Sequence, residues 1–358
     1  MKTFLVALSL AFAGAAAAQQ APQQNAAPTT PEQAQQQRQL TQPGNNAPVW
    51  REVQRGTPNY TSLPGREMEV LIQPPARFLG QDVSVTAGEA WRQFRNGPVT
   101  FYGGWLVVGV ALIILAFYAW KGSLKLKHPP SGRLMRRFTP LEMIVHWTVA
   151  ISFCVLGISG LIMLFGKHVL LPVMGYTLFS WLTMAAKNLH NFIAPLFIVS
   201  VAAMILVYVK DNFPRAYDLR WLANAWAYMA RGKHVSSGRF NGGEKVWFWV
   251  GVVGLSIAVS WSGVVLLFPN FDQTRAVMQD AWAVHAIAAL IYIAISLGHI
   301  YLGTIGVAGT YGNMRTGWTD EEWAREHHDI WYEEVKSGRR RPHGGPIPTG
   351  AARMRKAP

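Results

Sequence analysis

Four of the chain's ten histidines, His146, His190, His285 and His299, fall inside long apolar runs, where a polar ring has no water to satisfy it. A neutral imidazole carries one N–H donor and one lone pair. In such surroundings it either hydrogen-bonds across a helix interface or ligates a metal. A single histidine of this kind is well explained by a helix–helix contact, but four in one chain point to a shared task. Other redox-capable groups are sparse. The one cysteine, Cys154, cannot form an internal disulfide, a C-x-x-C site or an iron–sulfur cluster. Any redox group in this chain must therefore be ligated by something else, and histidine is the obvious candidate.

The apolar runs must position these rings. Of 358 residues, half are hydrophobic and 15% are charged. The apolar residues gather into five runs: spans A (101–120), B (141–165), C (179–209), D (246–268) and E (282–309). Each is long enough to cross a hydrocarbon core of roughly 30 Å as a helix. Fifteen Trp, with many Tyr and Phe, suit belts at headgroup depth. The net charge of +14 does not indicate nucleic acid, because Lys and Arg fall mainly between the spans.

Charge sets the orientation. The A–B connection holds Lys121, Lys125, Lys127, Arg133, Arg136 and Arg137 without an acid, the C–D connection is rich in Lys and Arg, and the tail holds Arg339, Arg340 and Arg341. The B–C and D–E connections carry only Lys167 and Arg275. The basic segments are expected inside, so span A enters from outside. The start of the chain agrees: residues 1–18 read as a secretory signal peptide, with Lys2, a short apolar core and the alanines Ala15 to Ala18 before Gln19; an uncleaved anchor is the alternative. Residues 19–48, rich in Gln, Ala and Pro, are expected to be a disordered linker. Residues 49–100 form a periplasmic segment too small for its own core, expected to contact a partner.

With that orientation the histidines sort by depth. His190 in span C and His285 in span E fall in the outer half, and His146 in span B and His299 in span E in the inner half. His285 and His299, fourteen positions apart, are separated by about 21 Å along a helix and point to nearly one side. Ligands so far apart cannot share one zinc or copper ion. Two opposed pairs instead suit bis-histidine ligation of two haem irons between facing helices. The sequence has no C-x-x-C-H signature, so such haems would be non-covalent b-type. Gly157, Gly160, Ala286, Ala288 and Ala289 would leave room for flat macrocycles or simply pack helices closely.

Several segments then resemble one family: RFTPLEMIVHW around His146, LHNFIAP around His190, RFNGGEKVWFW before span D, VHAIAA around His285, LGHIYLGT around His299 and EEWAREHHDIWYEEV in the tail. Over about residues 135–336 the chain resembles the cytochrome b, or gamma, subunit of membrane-bound respiratory formate dehydrogenase. Span A and what precedes it are additional, as in longer members. The resemblance implies haem b ligated by His190 with His285 on the outer side and by His146 with His299 on the inner side. It implies an iron–sulfur (beta) partner feeding the outer haem and a molybdenum or tungsten (alpha) subunit oxidising formate, and it leaves room for a higher-order oligomer of the complex. It also implies a quinone, menaquinone or ubiquinone, reduced near the inner haem, with Asn241 and Glu244 at its pocket; a loop glutamate is otherwise simply solvated.

The expected fold is an all-α integral membrane protein. Its four-helix, dihaem cytochrome b bundle (121–311) carries one extra N-terminal transmembrane helix (101–120) and a cytoplasmic tail (312–358), in the bacterial inner membrane. His327 and His328 are expected in a folded cap built on Trp323, Trp331 and Tyr332, and His128, His168, His234 and His343, all in loops, take no role. Other readings are the cytochrome b subunit of a membrane hydrogenase, a proton or metal transporter using membrane histidines, and a structural anchor. The spans show no paired Gly/Pro interruptions of the transporter type, and an anchor leaves the paired depths unexplained.

Overall fold

The computed structural model describes residues 87–271 and 273–340, with Thr30 alone before them. The expected signal peptide, the linker, most of the periplasmic segment and the end of the tail, His343 included, lie outside the described residues. Of the two compact units, Met1–Ile72 and Gln73–Pro358, only the second is described further.

Five described helical segments are long and apolar enough to cross a membrane. The first combines α1 (Ala87–Phe94), a π-helical turn at Arg95–Val99 and α2 (Thr100–Lys121). The wide turn holds Pro98, whose ring and missing N–H a regular helix interior would not accept. Next come α3 (Pro140–Val169) and α4 (Leu171–Tyr208), the latter followed by a 3-10 turn at Val209–Asp211. The cap helices α5 (Ala216–Ala223) and α6 (Ala225–Arg231) lead to the fourth segment: α7 (Gly242–Val246), a π-helical stretch at Trp247–Leu255 and α8 (Ser256–Leu267). The fifth is α9 (Arg275–Tyr301), ending in a π turn at Leu302–Gly306.

Local chemistry explains the ends. Thr139 caps α3 by accepting the Glu142 N–H at 3.2 Å, and the Glu142 carboxylate returns to the Thr139 N–H at 2.7 Å, with Pro140 at the first helical position. Thr274 caps α9, so that helix starts at Arg275, earlier than the apolar run alone indicates. Gly175, at φ 74° and ψ 171°, breaks the chain after the first turn of α4, and the span begins in earnest beyond it.

The faces fit lipid. On α3 the residues Val145, Val149, Ser152 and Ser159 are buried, whereas Ile144, Ile151 and Ile158, spaced by seven, are 64%, 62% and 62% exposed. In water such stripes would cost roughly 25 cal/mol per Å², a cost that lipid removes. Helix α3 packs along α4, α8 along α9, and α2 against α9. Gly103 admits α2 to Leu290 of α9, since a Cβ there would sit 2.4 Å from the Leu290 Cδ1.

The three basic segments meet in one cap. Strand β1 (Leu134–Arg136) pairs antiparallel with β2 (Trp318–Asp320), joining the A–B connection to the tail. The tail supplies α10 (Thr310–Thr316), α11 (Glu321–His327) and α12 (Asp329–Lys336). Trp323 and Trp331 are buried there, in the folded cap expected of this tail. Among its ion pairs is Arg133 with Glu321. Deeper in lie two buried guanidiniums. Arg239 reaches Glu142 at 2.8 Å, Asp211 at 2.5 Å and the Arg137 carbonyl at 2.6 Å. Arg137 donates to the Arg239 carbonyl at 2.8 Å and reaches Glu244 at 3.2 Å. Phe138 and Phe240 present ring faces to both.

A buried ion pair adds little net stability, but removing one partner leaves the other charge buried and uncompensated. Arg239→Met is therefore expected to cost about 3–5 kcal/mol by leaving Glu142 buried without its cation. Arg325→Ala, which removes the exposed pair with Glu322, is expected to leave the melting temperature unchanged. Thermal unfolding in detergent compares the two.

Candidate functional site

The four membrane histidines form two opposed pairs. His146 on α3 faces His299 on α9 with ring centres 6.3 Å apart, and His190 on α4 faces His285 on α9 with ring centres 6.1 Å apart. A metal ion held between two facing imidazoles, at metal–nitrogen distances of about 2.0–2.1 Å, would need ring centres roughly 6 Å apart. The rings in each pair are thus spaced to take one metal ion between them. The first pair lies toward the cap end of α3 and α9, and the second lies further from it.

In the second pair hydrogen bonds select the tautomer. His285 Nδ1 lies 3.0 Å from the Val259 carbonyl, which can only accept, so Nδ1 holds the proton. Nε2 is left with its lone pair free for a metal. His190 Nδ1 lies 2.9 Å from Ser159 Oγ. That hydroxyl donates to the Val155 carbonyl at 2.7 Å, so it accepts from His190 and leaves the same nitrogen free.

Each ring is also backed by a glycine. A Cβ on Gly160 would meet His190 Cε1 at 3.6 Å, and one on Gly263 would meet His285 Cε1 at 3.2 Å. The sequence repeats itself here. Ser159-Gly160 on α3 serves the histidine of α4, and Ser262-Gly263 on α8 serves the histidine of α9, with Ser262 Oγ 3.2 Å from His285 Nδ1. These two Ser-Gly dipeptides, each on the partner helix of a hairpin, are the signal of this repeat in the sequence. Of the small residues singled out, Gly160 backs a ring. Gly157 instead faces Ile293 across the helix interface, and Ala286 and Ala288 are buried in helix packing.

The first pair is held by stacking. The Trp247 ring lies on His299 with centres 4.7 Å apart and planes 12° from parallel. Trp247 opens the π-helical stretch, and Gly251 makes room for it, since a Cβ there would sit 2.7 Å from Trp247 Cε3. His146 Nδ1 is buried without a protein partner, an orphaned polar atom of the kind a bound group would explain. Between the pairs lies an aromatic layer. Tyr292, seven positions from both His285 and His299 and so on their face of α9, packs on Phe153 at 4.6 Å and bonds Ser256 at 2.9 Å. The donor set, its spacing and, in the second pair, the fixed tautomers fit haem iron.

Asn241 and Glu244 form a capping box at the start of α7. Glu244 N–H donates to Asn241 Oδ1 at 3.0 Å, and Asn241 N–H donates to Glu244 Oε2 at 2.7 Å. Glu244 is not merely solvated, because its other oxygen meets Arg137. The box lies one turn before Trp247 and hence beside the first pair. His327 and His328 sit in the cap, away from both pairs. Burial pushes His327 down to about 4, with Glu326 opposing, and holds His328 well below the usual imidazole range.

The prokaryotic cytochrome b561 family matches residues 137–317, just over half of the chain and the stretch that carries all four histidines. The cytochrome b556(fdo) subunit of formate dehydrogenase from Escherichia coli strain K12 is 31% identical over 203 residues, covering 56% of this chain and 92% of that relative. The nitrate-inducible formate dehydrogenase cytochrome b556(Fdn) subunits of Escherichia coli K12 and Shigella flexneri are each 27% identical over 215 residues, covering 57% of this chain and 93% of each relative. Five apolar helices, opposed histidine pairs and these matches together make the chain a member of the prokaryotic cytochrome b561 family, within its formate dehydrogenase cytochrome b (gamma) subunits.

Proposed function

We propose that this chain holds two b haems and carries electrons from a periplasmic iron–sulfur partner to a quinone at the cytoplasmic side of the bacterial inner membrane. Formate oxidation itself belongs to a molybdenum or tungsten subunit of the same complex. The observation that carries this reading is the pair of histidine couples, each spaced for one iron, fourteen positions apart on α9. When bound, the haems supply reversible one-electron iron chemistry at two depths.

The chain's own residues do the rest. His190 and His285 hold the outer group, and Ser159 and the Val259 carbonyl keep their Nδ1 atoms protonated so that Nε2 can ligate. His146 and His299 hold the inner group, with Trp247 fixing the His299 plane. Tyr292 and Phe153 keep the two sites apart in a water-free layer. Asn241 and Glu244 mark the quinone end: the Asn241 carbonyl oxygen is spent on the cap, leaving its amide N–H groups to donate to a quinone oxygen. The basic connections gather in one cap, which the positive-inside rule places in the cytoplasm. The segment before span A is then periplasmic.

Pyridine haemochrome analysis is expected to find two b haems per chain. His190→Ala or His285→Ala should remove one, and His146→Ala or His299→Ala should remove the other and stop quinone reduction. A full haem complement in His285→Ala would overturn the assignment of the outer pair.

Gly263→Val is expected to push the His285 ring aside and cut haem retention at that pair at least tenfold, the scale on which lost outer-shell support weakens metal sites. Reduced-minus-oxidised absorbance per folded chain reads the effect, with Gly254→Ala, whose Cβ would meet only the Trp249 carbonyl at 3.4 Å, as the control.

A further inference from the structure

Quinone reduction consumes protons as well as electrons, and the cap contains an open cavity of about 300 Å³, lined in part by titratable side chains, that could admit them. Its walls include the exposed His128 and His234, together with Glu326, His327 and Tyr228. At its mouth both nitrogens of His234 face acceptors, the Glu326 carbonyl at 3.1 Å and the Asp329 carboxylate at 3.1 Å. Beside it the Glu326 carboxyl is held below its usual range: burial opposes ionisation, but the Lys127 and His128 N–H groups and the His128 ring outweigh it.

Further in, His327 Nδ1 and the Tyr228 hydroxyl are 2.9 Å apart, while His327 Nε2 is enclosed without a protein partner. An imidazole in that position can take a proton at Nε2 and release one from Nδ1. Tyr228 in turn packs on Trp221 at 5.5 Å. Trp221 lies against Gly242 and Gly243 of the Asn241–Glu244 box, where added Cβ atoms would stand 3.3 and 2.9 Å from its ring. Burial raises the Tyr228 hydroxyl pKa, with Glu244 and Glu326 adding to the rise and Arg137 opposing it. The groups around His327 are Glu326, Arg137, His234 and Tyr228.

We propose that His327 and Tyr228 form a proton-relay pair leading from this cavity to the Asn241–Glu244 box, where the protons complete quinone reduction. This rests on the quinone reading above. Each quinone takes two electrons, released by formate oxidation in the partner subunits, and two protons from the cytoplasmic medium, one on each carbonyl oxygen. The imidazole and the phenol end each transfer with the protons they began with. Neither residue ligates a metal; both act through what they pass to Glu244.

The test uses the whole complex in membranes, with Tyr228→Phe and His327→Ala. Electron transfer from formate to quinone is expected to slow at least tenfold in each, at the low end of general acid–base contributions, with an increased solvent deuterium isotope effect. Haem reduction by formate without quinone should keep its wild-type rate. A non-reducible quinone analogue, followed by quenching of tryptophan fluorescence, should bind with wild-type affinity. Added imidazole should restore His327→Ala. Wild-type rate and isotope effect in Tyr228→Phe would overturn the relay, and so would loss of analogue binding without imidazole rescue, which would make the pair structural. A wild-type complex that reduces its haems with formate but not quinone would fail the quinone reading itself.

Discussion

A histidine inside a bilayer needs its ring nitrogens engaged by protein or by a bound group, because no water is there to serve them. That constraint organises the helical core. On α9, His285 and His299 point the same way almost four turns apart, so everything facing α9 must supply partners at two levels. Helices α4 and α3 each provide one facing imidazole. The outer rings are turned by a serine and a carbonyl and the inner one by an indole. The glycines at 160, 251 and 263 all answer to the same demand, that a ring lie flat against helix backbone.

The two antiparallel hairpins, α3–α4 and α8–α9, solve the outer level in the same way, with Ser-Gly on one arm and histidine on the other. The inner level breaks this likeness. There α3 supplies His146 itself, while the fourth segment supplies Trp247 from a π-helical stretch. A π stretch widens the backbone and re-aims its side chains, and such stretches are frequent at functional sites. The different construction lies at the end of the bundle that meets the cap.

The cap ties this end together. Basic segments that are remote in sequence interlock through β1–β2, through Glu326 with the Lys127 and His128 N–H groups, and through the reciprocal contacts of Arg137 and Arg239. Carboxylates, carbonyls and aromatic faces surround those buried guanidiniums. The cap thereby holds the Asn241–Glu244 box through Arg137, and it carries the open cavity lined by His128, His234 and His327.

The sequence by itself determined the spans and the identity of the four histidines, because hydrophobic runs and intramembrane ionisable residues are signals local to the chain. The pairing of the rings by depth was legible too, since helix rise and charge bias convert position into depth. Helix limits were less so: α9 begins earlier than its apolar run because Thr274 caps it, and α4 begins after a break at Gly175. Ser159 and Ser262 looked like ordinary span residues, and Trp247 like a belt aromatic. His327 and Tyr228 gave no sign of sharing a cavity. Only the tertiary structure decided these, because the orientation of an imidazole and the company of a cap histidine depend on groups that are remote in sequence and meet only when the helices pack.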